Sequence, residues 1–234
     1  MNDAWSAPAI AAENLTKVYL NHSRPPVQAV NGVGLTVAAG EIVLISGPNG
    51  SGKTTLLSML GCLLKPNAGT IRICGRDVTV LDQRELADFR LRHIGFVFQN
   101  FRLLDSLSVM ENVELPLNLA GIRRPESRER ARAALEELKI SHRARFYPNV
   151  LSGGERQRAA IARALVNDPG IVLADEPTGS LDSVAGRAAM EYLSEAARKS
   201  GKAVVIVGHD ERIRSFADRV ITMEDGSVKK EERP

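Results

Sequence analysis

Ile42-Val43-Leu44-Ile45-Ser46-Gly47-Pro48-Asn49-Gly50-Ser51-Gly52-Lys53-Thr54-Thr55-Leu56-Leu57 is the stretch whose reading decides the fold. An apolar run enters a loop of the pattern G-x-x-x-x-G-K-[ST]. Thr55, Leu56, Leu57, Met59 and Leu60 then follow at helical spacing. Strand, glycine loop and helix in that order form a phosphate-binding loop. Its glycines let backbone N–H groups turn inward, and the helix N-terminus adds the positive end of its dipole. Gly47, Pro48, Asn49, Gly50, Ser51 and Gly52 would wrap the phosphate chain of a nucleotide such as ATP. Lys53 would reach the β- and γ-phosphates, and the Thr54 hydroxyl would ligate Mg²⁺. A chance glycine-rich turn would not carry both flanks.

Further apolar runs at Ile94–Gln99, Ile171–Asp175 and Val204–Gly208 are continuous, as strands buried on both faces require. They alternate with helical patterns, so an α/β fold with a mostly parallel core sheet flanked by helices is expected. Thr70 to Cys74 alternates like a half-exposed antiparallel strand, and Val220–Met223, Asp225-Gly226 and Val228 read as a hairpin. Between Gln99 and Asp168 strands disappear. Arg128 to Leu138 sets Ala131, Ala134, Leu135 and Leu138 on one helical face and charges on the other. The arginines from Arg123 to Arg132 interleave with Glu126 and Glu129, which marks a solvated helix face. The charged tail from Lys229 to Pro234 is expected to fray.

Composition sets the outer bounds. With 234 residues the chain has room for one large domain. Its 31 basic and 28 acidic residues leave a formal net charge of +3, too small and too evenly mixed to point to nucleic acid. Two cysteines, Cys62 on a helical pattern and Cys74 at a strand end, make no disulfide framework and are expected reduced and partly buried. The N-terminus, with Asp3 and Glu13, shows no basic region followed by an apolar stretch, and the apolar runs are far shorter than the ~20 residues of a membrane span. A cytoplasmic protein is expected, with any membrane role supplied by a partner.

Ile171-Val172-Leu173-Ala174-Asp175-Glu176 is an apolar strand ending in two acids. Asp175 can reach Mg²⁺, and Glu176 can act on an attacking water. Many nucleotide-binding ATPases share these two motifs. Leu151-Ser152-Gly153-Gly154-Glu155-Arg156-Gln157-Arg158, before a helical run ending in Ala164-Leu165, is more discriminating. It resembles the signature of the ATP-binding cassette (ABC) superfamily, and the resemblance covers nearly the whole chain. Its physical logic is a second anion site built from a capping serine and helix N-terminal amides.

That resemblance implies the P-loop NTPase ABC ATPase fold: a single domain over 1–234, with an N-terminal antiparallel β subdomain and a helical subdomain at 100–167. It also implies roles for further residues. Gln99 would sense Mg²⁺ and the attacking water, and His209 would contact the γ-phosphate. Ser180-Leu181-Asp182 would touch the opposite subunit's site, Tyr19 would stack on adenine, and Thr55 would complete the loop's contacts. Two chains would sandwich two ATP molecules. Lys53, Thr54, Gln99, Asp175, Glu176 and His209 of one would face Ser152, Gly153, Gly154 and Glu155 of the other.

Within the superfamily, Phe96-Val97-Phe98-Gln99-Asn100-Phe101-Arg102-Leu103-Leu104, Glu111-Asn112-Val113-Glu114-Leu115-Pro116-Leu117 and Ala174-Asp175-Glu176-Pro177-Thr178-Gly179 are similar to the macrolide-exporter and lipoprotein-releasing ATPases (the MacB, LolD, DevA and FtsE group). Gly208, where that group has Thr or Ser, and Ser180, where it has Asn, depart from the pattern. The implied function is the energy subunit of a transporter. It would drive export or extraction of a lipid, lipoprotein, peptide or drug through a separately encoded permease of the MacB, LolC/E or DevC type, on the inner face of the plasma membrane. The alternative is a mechanotransmission ATPase that regulates cell-envelope enzymes without transport. A nucleic-acid cassette is disfavoured, since the chain has neither a second cassette nor a coiled-coil insertion. Within the segment from Phe101 to Ala120, Phe101, Leu103, Leu104, Leu107, Val109 and Leu115 are expected to offer part of an apolar docking groove for the permease.

Overall fold

The computed structural model describes residues 8–21 and 24–234, so Asp3 lies outside the described residues, and its organising element is β3 (Ile42–Ser46). Successive side chains of a strand point to opposite faces. Val43 and Ile45 accordingly enter one core, while Ile42 and Leu44 enter another. β7 (Ile171–Asp175) and β8 (Ala203–Val207) divide in the same way: Leu173 and Val205 go with the first core, Val172 and Ile206 with the second. A strand buried on both faces reads as an unbroken apolar run, which is why these three were legible.

The central sheet adds β6 (Ile94–Val97), β9 (Arg219–Glu224) and β10 (Ser227–Glu232), in the order β10-β9-β3-β8-β7-β6. Every pairing is parallel except β9 with β10. One face is covered by α1 (Lys53–Leu60) and by an antiparallel sheet of β1 (Ile10–Asn21), β2 (Arg24–Val37), β4 (Ala68–Ile73) and β5 (Arg76–Asp77), in the order β2-β1-β4-β5. The other face carries α3 (Val109–Leu119), α4 (Arg124–Glu137), α5 (Gly153–Leu165) and α6 (Ser183–Ser200). A further helix, α2 (Gln83–His93), contributes Leu86 and Phe89 to the first core. No described helix is long and apolar enough to cross a membrane.

The helices start where their caps dictate. Asp82 with Glu85, Ser108 with Glu111, and Ser152 with Glu155 each form a capping box, satisfying two otherwise orphaned backbone donors. Within α4, Arg130 pairs with Glu126 at 2.5 Å, the solvated face expected of that arginine run.

Several local expectations are corrected. β6 ends at Val97, and Gln99 is already in a turn because the chain leaves the sheet at Phe98. β8 likewise ends at Val207, one residue before Gly208. The tail does not fray: β10 pairs with β9, and Glu231 meets the Arg219 guanidinium at 2.7 Å while Glu232 pairs with Arg214. Cys62 is buried but lies beyond the end of α1 with φ 55°, and Cys74 follows β4 in an exposed turn; both are free thiols.

Candidate functional site

The loop after β3 needs its glycines for two reasons. Gly47 and Gly52 have φ of 140° and 96°, and a Cβ there would meet the Met223 and Ala29 carbonyl oxygens at 2.1 and 2.0 Å. Around this turn the donors suit a polyphosphate. α1 begins with no side-chain cap and no acid in its first turn, leaving amide N–H groups for an anion. The Ser51 hydroxyl is buried without a partner. Lys53 is only 6% exposed, and its Nζ donates to the Gly47 and Pro48 carbonyls, both at 2.8 Å. Burial pushes that amine below its ordinary pKa, against the pull of Glu176 and Asp175. Pro48, Asn49 and Gly50 form the exposed lip. Tyr19, on β1 and 43% exposed, brings its hydroxyl to 3.5 Å from Thr55 Oγ1, so an aromatic face stands beside the loop.

β7 delivers the acids. Thr54 Oγ1 donates to Asp175 Oδ1 at 3.3 Å, two hard oxygens side by side. Burial pushes the Asp175 carboxyl up, with the Thr54 hydrogen bond opposing it. Among the described residues there is no cluster of three His, Cys, Asp or Glu ligands. Mg²⁺ bound with a nucleotide needs only one or two protein oxygens alongside phosphate and water, so this pair fits it.

Glu176 follows β7 in a left-handed conformation, φ 45°, pinned by its own N–H donating to the Val207 carbonyl at 2.8 Å. Strain of this kind persists only where surrounding structure enforces it. Gln99 Nε2 donates to Glu176 Oε2 at 3.1 Å, and His209 Nδ1 lies 3.2 Å from Oε1. The carboxylate is thereby held from both sides. Glu176 and His209 come from the ends of β7 and β8 and open on a cleft of about 370 Å³ that Thr178 and Asp210 also line, while Gln99 reaches Glu176 from the end of β6, the next strand of the sheet.

Thr178 and Asp210 escaped the sequence reading. Thr178 Oγ1 donates to Asp210 Oδ2 at 2.9 Å, and Asp210 also accepts from the Arg212 guanidinium and N–H. Arg212 foremost holds the Asp210 carboxyl down at about 2. This brace joins the segment after Glu176 to the one bearing His209. Its only signal was an acid next to the histidine. At Gly208 a Cβ would meet Ile213 Cδ1 at 3.0 Å, so a side chain there would have to displace the tip of Ile213 by a few tenths of an ångström.

The signature segment lies elsewhere on the chain. α5 packs on α3, α4, α6 and β6, whereas α1 packs on β1, β2, β7 and β8. Ser152 is exposed at the head of α5 with Gly153 and Gly154 behind it. Glu155 points inward: its carboxylate accepts from the Ser152 N–H at 2.8 Å and from Arg143 Nε at 2.7 Å. The carboxylate of Asp182 is likewise engaged, capping α6 through the Val184 and Ala185 N–H groups.

The Glu155 cap has a pH signature. The Ser152 N–H, with Arg143 behind it, lowers the Glu155 carboxyl from 4.5 to about 2. A depressed carboxyl contributes stability that is complete above its unfolded pKa and is lost as pH falls through the folded one. Glu155→Gln should therefore lower the Tm at about pH 7, with the gap to wild type narrowing as pH falls from 4.5 towards 2. Thermal melts along that series check it. A gap that stays constant would take the carboxylate out of the cap's energetics.

A second, apolar groove is lined by Leu63, Leu91, Ile94, Phe96, Pro116 and Leu119, and also by Phe98, Arg102 and Arg163. Leu119 and Leu63 are 66% and 49% exposed. Of the apolar segment expected from Phe101 to Ala120, Pro116 and Leu119 line this groove and Leu104 is exposed outside it, whereas Val109 is fully buried in the second core and Leu103 packs against that core.

Comparison with known proteins agrees with this geometry. Residues 30–179 match the family described as ABC transporter. The chain is 47% identical to the macrolide export ATP-binding/permease protein MacB of Rhodospirillum rubrum, over 94% of this chain and 34% of that protein. It is 44% identical to the pyoverdine export ATP-binding/permease protein PvdT of Pseudomonas aeruginosa, over 97% of this chain and 34% of that one. The chain thus spans about a third of the length of these relatives. Among solved structures, a dimeric post-hydrolysis state of the ATP-binding cassette MJ0796, bound to ADP and Pi, is similar with a TM-score of 0.90 and 42% identity, covering 96% of this chain and 98% of that one.

Proposed function

The chain belongs to the ABC transporter family and is an ATP hydrolase of that family, and from this premise we propose that it is the energy subunit of an export system, closing as a dimer on ATP and acting on a membrane permease. The observation that carries the reading is the convergence of Lys53, Thr54 and Asp175 at the loop with a Glu176 carboxylate held between Gln99 and His209.

In this reading the loop amides and Lys53 hold the β- and γ-phosphates, and Tyr19 stacks on adenine. Mg²⁺, held by Thr54, Asp175 and Gln99, would neutralise charge developing on the phosphate oxygens. Glu176 orients the attacking water and takes its proton at a carboxylate oxygen. Gln99 and His209 fix that carboxylate, and His209 reaches the γ-phosphate. Ser152 and the amides of Gly153 and Gly154, remote from Lys53 within one chain, close over the γ-phosphate of a second chain. The dimeric form of the similar cassette supports this arrangement. Glu155 and Asp182 serve it by fixing the starts of α5 and α6.

The named relatives are exporters with permease parts, which supports transport over regulation of envelope enzymes. The groove around Leu119 would take a short cytoplasmic helix of the permease, an apolar helix-in-groove contact. Leu119→Glu should abolish co-purification with a co-expressed permease while leaving the ATPase rate of the chain near wild type. Wild-type recovery of the complex would move docking to another face.

A further inference from the structure

The turn between β6 and α3 contains a conformation that its own sequence does not favour. Phe101 and Arg102 are consecutive left-handed residues, with φ of 58° and 47°, and neither is glycine or asparagine. Two such residues in a row need an external hold. α5 supplies one. Arg163 Nη2 donates to the Phe101 carbonyl at 2.8 Å and Nη1 to the Arg102 carbonyl at 2.6 Å, so one planar guanidinium forks across both strained residues. Two helical turns earlier, on the same face, the Arg156 guanidinium sits 5.5 Å from the centre of the Phe101 ring. Burial pushes the Arg163 guanidinium below its ordinary pKa. A partly buried cation persists where its N–H groups find acceptors, and these two carbonyls are such acceptors.

Gln99 lies in the same segment, two residues before Phe101, and reaches Glu176 Oε2 at 3.1 Å. The same helix also touches the other side of that contact. Gln157 Nε2 donates to the carbonyl of Pro177, the residue after Glu176, at 2.9 Å, and Gln157 is buried. A single helix that begins at Ser152 therefore anchors both partners of the Gln99–Glu176 hydrogen bond.

We propose that Arg163 is a positioning residue for ATP hydrolysis: its fork across the Phe101 and Arg102 carbonyls holds Gln99 against Glu176 and ties that register to α5. It acts through Gln99 and does not touch the reacting atoms. The inference rests on the reading that Gln99 and Glu176 act at the γ-phosphate. It adds a physical link within one chain, by which displacement of α5 shifts the glutamine. A lysine at this position keeps the charge but cannot span two carbonyls with one planar group.

The test is a double-mutant cycle on steady-state ATPase of the whole chain, using Arg163→Gln and Arg163→Lys, each alone and with Gln99→Ala. Misplacing a positioned group by about an ångström can cost on the order of 10²-fold. Arg163→Gln should lower kcat by roughly 10- to 100-fold with KM for ATP little changed, and Arg163→Lys should fall between it and wild type. In the Gln99→Ala background neither substitution should lower kcat further. Arg163→Lys carries the test alone if Arg163→Gln fails to fold. Losses that multiply with Gln99→Ala, or a loss confined to KM, overturn the positioning role while leaving the ATPase reading intact. Wild-type kcat in Gln99→Ala alone overturns the role given to Gln99 and the positioning role with it, while ATP hydrolysis itself stands.

Discussion

Glu176→Gln should bind ATP as the wild type does and turn it over about 10²–10⁴-fold more slowly, the range that a positioned general base contributes. The amide keeps the shape of the carboxylate and can still meet Gln99 and His209, the two groups that flank it at 3.1 and 3.2 Å. What it loses is a basic oxygen for the proton of the attacking water. The left-handed backbone at φ 45° is fixed by the Val207 carbonyl and does not depend on the side chain, so the loop should keep its course. With hydrolysis slowed and binding intact, the variant should accumulate as an ATP-bound dimer. Steady-state ATPase and gel filtration with Mg-ATP measure the two effects. Turnover at the wild-type rate would remove Glu176 from the base role.

The second large effect is expected from a mixture. Lys53→Ala removes a buried cation that would face the phosphates, and charge-assisted hydrogen bonds of this kind contribute about 1.5–3 kcal/mol, roughly a 10- to 100-fold loss of ATP affinity. Ser152→Arg fills the exposed head of α5 and should spare binding by one chain yet stop turnover, because Ser152 and Lys53 sit on elements packed against different parts of the fold. Each variant alone should be inactive. Mixed, they can form one complete site per heterodimer, the loop from the Ser152→Arg chain and the signature from the Lys53→Ala chain. Measurable ATPase from the mixture is the expected result. A mixture as inactive as its components, with heterodimers demonstrated, would argue that one complete site does not suffice. Full turnover by Ser152→Arg alone would end the shared-site reading.

The phosphate loop was legible because its chemistry is local. Glycines at 47, 50 and 52 carry φ values of 140°, 82° and 96° that other residues resist, and the lysine and threonine follow directly on the helix they start. The signature was legible for the same reason: Ser152 and Glu155 cap one helix three residues apart. The buried strands declared themselves through unbroken apolar runs. Long β1 and β2 were less visible, since an antiparallel sheet with one wet face and register shifts breaks its alternation.

What the sequence could not give is which side chains meet. Gln99 and Glu176 are 77 residues apart, and His209 stands 33 residues beyond Glu176. They converge only because β6, β7 and β8 lie side by side in that order and release the chain at one edge. Tertiary packing also turned the Glu155 carboxylate inward, braced Asp210 with Thr178 and Arg212, and buried Val109 while leaving Leu119 exposed in the apolar groove. The sequence determined the loop, the strands and the capped signature, because backbone conformation and nearest-neighbour hydrogen bonds are written in adjacent residues. The structure decided the company each side chain keeps, because burial and long-range hydrogen bonds depend on the order in which the sheet assembles.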